Sequence, residues 1–445
     1  MTMRNALPTA SIRDTLGVLV DVVIPTVAKG PIIRRPKMVG LAERPQLDTR
    51  AIRRMQKIES RYGPGPLMLP VPRWSRALIL SPEHVHRVLD RTPEPFATET
   101  DEKRAALSHF EPKGALISHG PEWAVRRQFN EDVLETPKTV HGLAPRFIDV
   151  VNQETALFLG SAERDGELIW DAFFEAWFRI VRRIIFGDSA RDDHELTGMV
   201  AELRADANWA FMKPKQTDLR ERFLSTLEER MTRAEPGSLA SIIAAMPKTP
   251  DMDPVHQVPQ WLFAFDSAGM ATFRTLALLA SHPEQADQAR KEMAADASGR
   301  QNLPYLRACV LESLRLWPTT PLVLRQTTSE TEWETGAMPA DTGILIYAPF
   351  FHRDDRQLSY AQQFTPDIWL DQREPADWPL IPFSAGPAIC PATNLVQMLS
   401  SAMLAALIDG REIRLKSSHA LDPDRPLTGT LNPYALRFEV SALGQ

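Results

Sequence analysis

The segment Pro382-Phe-Ser-Ala-Gly-Pro-Ala-Ile-Cys-Pro391 places a cysteine at the end of a glycine-bearing loop, directly before an apolar segment with helical periodicity. The N-terminus of a helix offers free N–H groups and the positive end of the helix dipole, and both stabilise a thiolate. A thiolate serves either as a nucleophile or as a metal ligand. No histidine lies near Cys390 in the sequence to act as its base. The segment alone leaves three roles open for Cys390: a nucleophile, an axial ligand of a large metal cofactor, or an inert buried thiol.

The composition of the chain excludes several other kinds of site. The sequence has 445 residues, of which 24% are charged and 43% hydrophobic, with a formal net charge of -6 and two cysteines. Two thiols cannot provide the four cysteines of a usual structural zinc or iron–sulfur site. The mildly acidic balance has no long basic run, which argues against nucleic-acid binding. The chain also lacks a P-loop and a dinucleotide fingerprint.

Helical patterns dominate the sequence, with a minority of strand. Residues 67–80 have the pattern of a short strand pair interrupted by prolines, and Ser81 before Pro82 is typical of a helix start. Residues 120–315 are mostly helical, and residues 320–349 contain two further strand-like segments. A helix is predicted over residues 392–407. The pattern predicts a mainly α fold with a smaller β part and excludes a doubly wound sheet.

The first 66 residues are basic and are predicted to form an N-terminal arm, with residues 67–445 as a single domain. The apolar stretch from Leu16 to Val27 is shorter than the ~20 residues that a spanning helix needs. Asp21 and Pro25 interrupt it, and Asp21 also argues against a signal peptide. We therefore predict no transmembrane segment and favour a packed arm, with a peripheral membrane contact as the alternative.

The loop before Cys390 resembles the haem-ligand motif of the cytochrome P450 family, Phe-x-x-Gly-x-Arg-x-Cys-x-Gly. Phe383, Gly386 and Cys390 match the motif, whereas Ala388 stands at its Arg and Ala392 at its last Gly. The resemblance implies that Cys390 is the axial ligand of haem iron and that Phe383 and Gly386 also bind the haem. Thiolate ligation of haem iron favours O–O cleavage.

A second segment, ending at Thr272, resembles the oxygen-binding helix of the same family, Ala/Gly-Gly-x-Asp/Glu-Thr. Ala268, Gly269 and Thr272 match it, and Ala271 replaces the usual acid. The resemblance implies that Gly269 leaves room for dioxygen, that Thr272 manages the oxygen and its protons, and that Ala268 and Phe265 line the pocket. Because Ala271 cannot relay a proton, the sequence predicts weak coupling of electron supply to product formation.

Glu312-Ser-Leu-Arg315 resembles the Glu-x-x-Arg helix of the family, whose two charged residues form a structural pair behind the haem. A glutamate and an arginine three residues apart share one helix face and can pair. The family usually adds a second arginine from a later segment, but Ile368 occupies that position. Arg353 or Arg373 is a possible substitute.

The haem propionates are assigned to three further residues on the same resemblance. Trp123 and Arg127 resemble the family's Trp-x-x-x-Arg helix, and Arg325 resembles its second propionate-binding arginine. Arginine suits this task because its planar guanidinium pairs with a carboxylate through two hydrogen bonds.

Together these segments cover about residues 67 to 410, and the chain is identified as a cytochrome P450 of the bacterial soluble type. The resemblance implies a helix-rich triangular prism that holds haem b, iron protoporphyrin IX, between the oxygen-binding helix and the helix after the ligand loop. It also implies a cytoplasmic monooxygenase that uses dioxygen, an apolar organic substrate and a ferredoxin or flavodoxin-type electron donor. Two alternatives stay open: a peroxide-driven or rearranging haem-thiolate enzyme, and a haem-dependent binding protein without turnover.

Overall fold

A computed structural model of the chain describes residues 6–247, 249–371, 380–418 and 421–442. The fold is mainly helical in these residues. The α-helices, in chain order, are α1 (Ile12–Val18), α2 (Ile24–Ala28), α3 (Pro36–Glu43), α4 (Leu47–Tyr62), α5 (Pro82–Asp90), α6 (Asp101–Leu107), α7 (Gly120–Leu134), α8 (Ala144–Asp165), α9 (Trp170–Phe186), α10 (His194–Ala207), α11 (Thr217–Arg233), α12 (Leu239–Ala245), α13 (Val258–Ser281), α14 (Pro283–Ala295), α15 (Pro304–Leu316), α16 (Ala348–His352) and α17 (Thr393–Ile408).

The strands of the described residues form three small sheets. They are β1 (Leu67–Val71), β2 (Trp74–Leu78), β3 (Phe96–Ala97), β4 (Leu168–Ile169), β5 (Leu322–Thr327), β6 (Thr331–Trp333), β7 (Gly336–Met338), β8 (Gly343–Tyr347), β9 (Arg411–Leu415) and β10 (Arg437–Ala442). One sheet has the order β1-β2-β8-β5-β3, a second has the order β4-β10-β9, and β6 pairs with β7. The predicted mainly α fold with a smaller β part is confirmed.

Several local predictions are confirmed by the hydrogen bonding. β1 and β2 are the predicted strand pair and run antiparallel, and β5 lies antiparallel to β8, with Leu324 opposite Leu345. Ser81 caps α5 because its side chain accepts a hydrogen bond from the His84 N–H. The predicted helix after the ligand loop is α17.

The N-terminal segment packs on the five-stranded sheet. Leu7, Val18 and Val22 are buried in one hydrophobic cluster with the side chains of β1, β2 and β8. A π-helical turn, Leu19–Val23, joins α1 to α2, and the Ile24 N–H donates to Leu19 O five residues back. A π turn of this kind accommodates Pro25, which has no N–H of its own to donate. Side chains between Leu7 and Val22, together with those of α4, therefore share a core with the sheet of the domain predicted to begin at residue 67.

The second and larger hydrophobic cluster surrounds α13, which runs through the middle of the helical part. α13 contacts α9, α15 and α17 along its length. The helical stretch Pro254–Ser281 is apolar and long enough to cross a membrane, but 78% of its most apolar window is buried inside the protein. That burial is expected of a core helix.

Candidate functional site

A large cavity that is partly open to solvent lies between α13, α7, β5 and the loop before α17, with roughly 1510 Å³ of empty space counted together with its open part. Its walls combine one thiol, three basic side chains and many apolar ones. The lining residues are Thr98, Lys103, Ala115, Leu116, Trp123, Arg127, Asn130, Leu134, Gln257, Gln260, Trp261, Phe263, Ala264, Ser267, Ala268, Leu314, Thr319, Thr320, Leu322, Val323, Leu324, Arg325, Ile381, Pro382, Phe383, Ser384, Ala388, Ile389, Cys390, Pro391, Ala392 and Val396.

The loop before α17 presents Cys390 to this cavity. The Cys390 N–H donates to Phe383 O at 2.9 Å, which closes the loop. Gly386 has a φ of +66°, and a Cβ there would lie 2.2 Å from the carbonyl oxygen of Leu89. Glycine is required because a side chain would collide with α5 and because the backbone is left-handed. The loop can therefore pack tightly on α5 and hold the thiol in place.

The surroundings of the Cys390 thiol act on its pKa in two directions. Burial raises the pKa, and the Ala392 N–H and the positive charge of Arg127 lower it. The N–H and the charge are the groups that would stabilise a thiolate if a metal ion bound the sulfur. The other cysteine, Cys309, is fully buried in α15 and does not line the cavity.

Trp123 and Arg127 of α7 both line the cavity, as their i,i+4 spacing requires. The Arg127 Nε donates to Glu131 Oε1 at 2.6 Å, and Nη1 donates to Ile389 O at 2.6 Å. The remaining nitrogen, Nη2, is buried and has no hydrogen-bond partner. A buried charged donor without a partner is costly, so this nitrogen calls for an anionic acceptor in the cavity.

Arg325 on β5 and Lys103 on α6 form a second basic group on the cavity wall. The Arg325 Nη1 and the Lys103 Nζ donate to the same oxygen, Leu324 O, at 2.9 and 3.1 Å. The two cationic groups therefore lie at most about 6 Å apart, the sum of those distances. Burial lowers the pKa of Arg325 to about 10. Burial and the charge of Arg325 hold the pKa of Lys103 well below its usual range.

Lys103 was not among the residues that the sequence identified. Its neighbours Glu102 and Arg104 are also charged, so the sequence gives α6 the pattern of an ordinary solvated helix. Only the tertiary contact between α6 and β5 brings the Lys103 ammonium to Leu324 O.

The cavity fits a cofactor with a metal ion and carboxylate groups. Among the described residues that line it, none is an aspartate or a glutamate. Three basic side chains face the cavity, and Arg127 pairs with a carboxylate that lies outside the wall, that of Glu131. Haem has one metal position and two propionates, and the thiol and the basic groups match that set. Ala388 also lines the cavity and contributes no donor.

The α13 wall differs from what the sequence predicted. Ala268 lines the cavity as predicted, but Phe265 and Gly269 do not. A Cβ on Gly269 would lie 2.7 Å from the Trp177 ring of α9, and the Trp177 Nε1 donates to Phe265 O. This face of α13 therefore packs on α9, and close helix packing, not room for a ligand, is the reason for glycine at 269.

Thr272 also lies away from the cavity wall. It is fully buried, and its hydroxyl donates to Ala268 O at 2.8 Å and shares a hydrogen bond of 2.9 Å with the Ser400 hydroxyl of α17. The first hydrogen bond lies within α13 and the second joins α13 to α17, so the hydroxyl has no proton left for the cavity. Ala271 is likewise buried, and its carbonyl accepts from Ser313.

An acid and a hydroxyl residue stand next to each other on α13 five residues before Ala271 and Thr272, namely Asp266 and Ser267. Ser267 lines the large cavity, and both residues border a smaller cavity next to it. The Asp266 carboxylate pairs with the buried Arg204 of α10 at 2.6 Å. The sequence signal was present, since Ala264-Phe-Asp-Ser267 also ends in an acid followed by a hydroxyl residue. The better match at Ala268 and Gly269 obscured it.

Glu312 and Arg315 form a fully buried pair at 2.8 Å behind the cavity. Arg315 also donates to the carbonyls of His352 and Gln363. Glu312 accepts from the Thr365 N–H at 2.8 Å and from the Trp369 Nε1 at 3.0 Å.

These hydrogen bonds identify what replaces the missing arginine at Ile368. The Trp369 indole supplies a donor to Glu312 in place of the missing arginine, and Ile368 itself is buried. Arg353 is buried close by but donates to Leu316 O and Leu427 O. Arg373 lies outside the described residues.

The chain is similar to known proteins of one family. Residues 248–436 match the family model described as Cytochrome P450. Cyclooctat-9-en-7-ol 5-monooxygenase of Streptomyces melanosporofaciens is 26% identical over 392 residues, which cover 80% of this chain and 81% of that protein. Cytochrome P450 734A2 of Oryza sativa subsp. japonica is 24% identical over 429 residues, which cover 81% and 74%.

Solved structures show the same fold. A cytochrome P450 named CYP102L1 matches with a TM-score of 0.73 at 17% identity, covering 99% of this chain and 100% of that one. The cyanobacterial CYP120A1 with bound retinoic acid matches with a TM-score of 0.68 at 17% identity, covering 87% and 94%.

Proposed function

Because this chain belongs to the cytochrome P450 superfamily and is an oxidoreductase of the monooxygenase type, we propose that it inserts one oxygen atom of dioxygen into an apolar organic substrate, with Cys390 as the haem ligand. The observation that carries the proposal is the position of the Cys390 thiol on a cavity wall that also holds three basic side chains and no described acid. Haem b is the cofactor that we propose, and it supplies the metal at which dioxygen is activated.

The two propionates are held by two separate basic groups in this proposal. Arg127 Nη2, with the Trp123 indole on the same helix face, takes one propionate. Arg325 and Lys103, which share Leu324 O, take the other. Lys103 then compensates for Ala388, which leaves the ligand loop without its usual basic residue.

Proton supply is assigned to Asp266 and Ser267. General acid assistance needs a donor within hydrogen-bond reach of the reacting atoms, directly or through one water. Ser267 is on the cavity wall, and Asp266 next to it is held by Arg204. Asp266 would take up a proton from a water molecule that enters the smaller cavity, which both residues border, and would pass a proton to the Ser267 hydroxyl, which releases its own, or to a water beside it. Thr272 keeps a structural role between α13 and α17.

The substrate meets mostly apolar side chains. Leu116, Phe263, Val323 and Ala264 line the cavity beside Ser267, and such a wall favours an apolar ligand. A ferredoxin or flavodoxin-type protein in the cytoplasm is the electron donor that we propose from the family resemblance.

The test is turnover of the purified protein, with a ferredoxin and its reductase or with hydrogen peroxide alone, on a substrate found by ligand-induced shifts of the haem absorption band. We expect reductase-dependent product formation, because Asp266 and Ser267 can supply protons. Turnover with peroxide and none with the reductase system would instead favour the peroxide-driven alternative.

A further inference from the structure

Another cavity, which shares no lining residue with the large one, lies between α3, α4, α13 and the loop before β10. It is partly open to solvent, with roughly 540 Å³ of empty space counted together with its open part. Among the described residues, four cationic side chains and one carboxylate line it: Lys29, Arg34, Arg274, Arg353 and Asp48. We call this space the cationic cavity.

The carboxylate on this wall is already paired. Asp48 accepts from the Lys29 ammonium at 2.6 Å and from the Thr430 hydroxyl at 2.8 Å. Burial raises the pKa of Asp48, but the charge and the hydrogen bond of Lys29 outweigh it and hold the pKa below its usual value. Asp48 therefore compensates Lys29, and the three arginines of the wall need another counterion.

The three arginines donate to uncharged acceptors. Arg34 donates to two carbonyls, at 2.6 and 3.0 Å. Arg274 is buried and donates to two carbonyls, at 3.0 and 3.2 Å, while its Nε has no hydrogen-bond partner. Arg353 donates to carbonyls and to the amide oxygen of Gln362. Neutral acceptors satisfy the N–H groups but leave the positive charges uncompensated in a buried place.

The positive charges of the wall act on one another. Burial and the charge of Arg34 lower the pKa of Arg274 to about 10. Burial lowers the pKa of Lys29, and the charges of Arg34 and Arg274 lower it further, against the effect of Asp48. Like charges at this separation disfavour each other, and an anion between them would relieve the repulsion.

The acids outside the wall do not balance this charge. Glu43, Asp266 and Glu312 act on arginines of the wall. Asp266 is paired with Arg204 at 2.6 Å, and Glu312 is paired with Arg315 at 2.8 Å. When these five residues are counted with the five charged groups of the wall, the positive charges outnumber the negative ones by two.

A buried arginine that donates to carbonyls is not by itself a binding site, because Arg307 has the same character. Its Nη2 donates to the carbonyls of Thr139 and Gln301, and its Nε is buried without a hydrogen-bond partner. Arg307 lines none of the three cavities, and the charge that acts on it is that of an acid, Glu292. The cationic cavity differs because several cations surround an open space.

From this arrangement we propose that the cationic cavity binds an oxyanion, held mainly by the guanidinium groups of Arg34 and Arg274. Arginine suits the task because its planar fork pairs with two oxygens of a carboxylate or a phosphate. Tyr434 lines the same cavity, and its hydroxyl can donate a further hydrogen bond. A free ion and the acid end of a larger ligand offer the same chemistry to this site.

The position of the cationic cavity relates it to the large one. Arg34 and Met270 also border the smaller cavity, which shares three lining residues with the large cavity, among them Ser267. Arg274 follows Ser267 by seven residues on α13, about 10 Å along the helix axis. An acid group of an elongated substrate would thus lie about 10 Å from Ser267 along α13. That source of the oxyanion rests on the proposed function, whereas the oxyanion site itself does not.

The experiment measures binding of inorganic phosphate to the full-length protein by isothermal titration calorimetry and by the midpoint of thermal unfolding. Ionic strength is held constant with sodium chloride, because phosphate at high concentration stabilises folded proteins without a specific site. We expect saturable binding at millimolar phosphate and a midpoint that rises with the phosphate concentration.

Arg274→Gln and Arg34→Gln should each weaken phosphate binding about 10- to 100-fold, because each removes a charged donor. Arg34 lies between α2 and α3 and is only partly buried. Arg34→Gln therefore decides the matter if Arg274→Gln, which loses two hydrogen bonds to carbonyls, does not fold. Arg307→Gln is the matched control and should bind phosphate like the unchanged protein.

Alkanoates from acetate to dodecanoate distinguish the two sources of the oxyanion. For a free ion, phosphate binds more tightly than every alkanoate, and chain length has no effect. For the acid end of a substrate, affinity rises with chain length, the haem absorption band shifts and phosphate competes. Both results support the site, provided that Arg34→Gln weakens the binding.

Two results would overturn the oxyanion site: no saturable binding of phosphate or of any alkanoate, and an equal loss of binding in Arg307→Gln. Saturable phosphate binding that depends on Arg34, in a protein without monooxygenase turnover, would support the site and contradict the proposed function alone.

Discussion

The two walls of the large cavity are built for different tasks. The wall formed by α7, β5 and the ligand loop carries the thiol of Cys390 and the basic groups of Arg127 and Arg325. The α13 wall consists mostly of apolar and small side chains. Its hydroxyl residue, Ser267, also borders the smaller cavity, as does the neighbouring Asp266. Holding a cofactor and supplying protons are therefore assigned to different elements. Substitutions on one wall should change cofactor binding alone, and those on the other should change proton supply alone.

The largest effect should come from Cys390→Ser on the first wall. A serine hydroxyl is a far poorer ligand than a thiolate, so we expect the variant to lose the red-shifted Soret band of the reduced carbon monoxide complex and all monooxygenase turnover. The measurement is the absorption spectrum of the purified protein with carbon monoxide.

Cys309→Ala is the control for this substitution. Cys309 is fully buried in α15, and burial holds the pKa of its thiol well above its usual range. The control should keep the band. A band that persists in Cys390→Ser, or disappears equally in both variants, contradicts the assignment of the ligand.

The next largest effect should come from Asp266→Asn on the second wall. The amide keeps the size of the side chain and a hydrogen-bond acceptor for Arg204 but cannot release a proton. We expect the rate of coupled product formation to fall roughly 10²-fold, with the carbon monoxide spectrum unchanged. The measurement is product formed per nicotinamide oxidised.

Asp253→Asn supplies the comparison, because Asp253 also pairs with a buried arginine, Arg126, at 2.7 Å but borders neither the large nor the smaller cavity. It should leave the coupled fraction unchanged. When hydrogen peroxide replaces the reductase system, the turnover of Asp266→Asn should rise by a larger factor than that of the unchanged protein. If Asp266→Asn remains fully coupled, protons reach the cavity by another route.

The ligand loop on the first wall could be predicted from the sequence because it contains a cysteine, a rare residue in this chain. A cysteine after Phe383 and Gly386 has few alternative explanations in a chain with two cysteines, and the structure places all three as the loop requires. The mainly helical fold, the pair of β1 and β2, and the contact between Glu312 and Arg315 also follow from local patterns.

The α13 wall could not be located in the same way because small residues are common in buried helices. Alanine, glycine and threonine suit tight helix packing as well as a ligand pocket, and Gly269 serves the packing against Trp177. Lys103 and Trp369 were missed for another reason. Their contacts with Leu324 and Glu312 join segments more than 50 residues apart, which no local pattern reveals.

The retention of haem should distinguish the two basic groups of the first wall. Lys103→Gln and Arg325→Gln each remove one charged donor, worth roughly 1.5–3 kcal/mol. We expect each to speed the transfer of haem to an apoglobin acceptor about 10- to 100-fold, and Arg127→Gln to do the same. Ala388→Arg should slow the transfer where the cavity accommodates it.

Haem dimethyl ester provides the control, because it lacks both propionate charges. When the protein is reconstituted with the ester, the three glutamine variants should release it at the same rate as the unchanged protein. A Lys103→Gln variant that loses haem no faster than the unchanged protein, but binds carboxylate ligands more weakly, would place an acidic substrate at Lys103 instead.

The smallest effect should come from Thr272→Val, which tests whether Thr272 serves helix packing or proton supply. Valine has nearly the shape of threonine but cannot make the hydrogen bonds to Ala268 O and the Ser400 hydroxyl. Losing them should reduce the free energy of unfolding by about 1 kcal/mol, measured by chemical denaturation, because the buried Ser400 is left without this partner. Since Thr272 lies outside the cavity wall, product formed per nicotinamide oxidised should stay unchanged, in contrast to Asp266→Asn. A Thr272→Val variant that is fully stable and poorly coupled would return the proton path to Thr272 and overturn the assignment to Asp266 and Ser267.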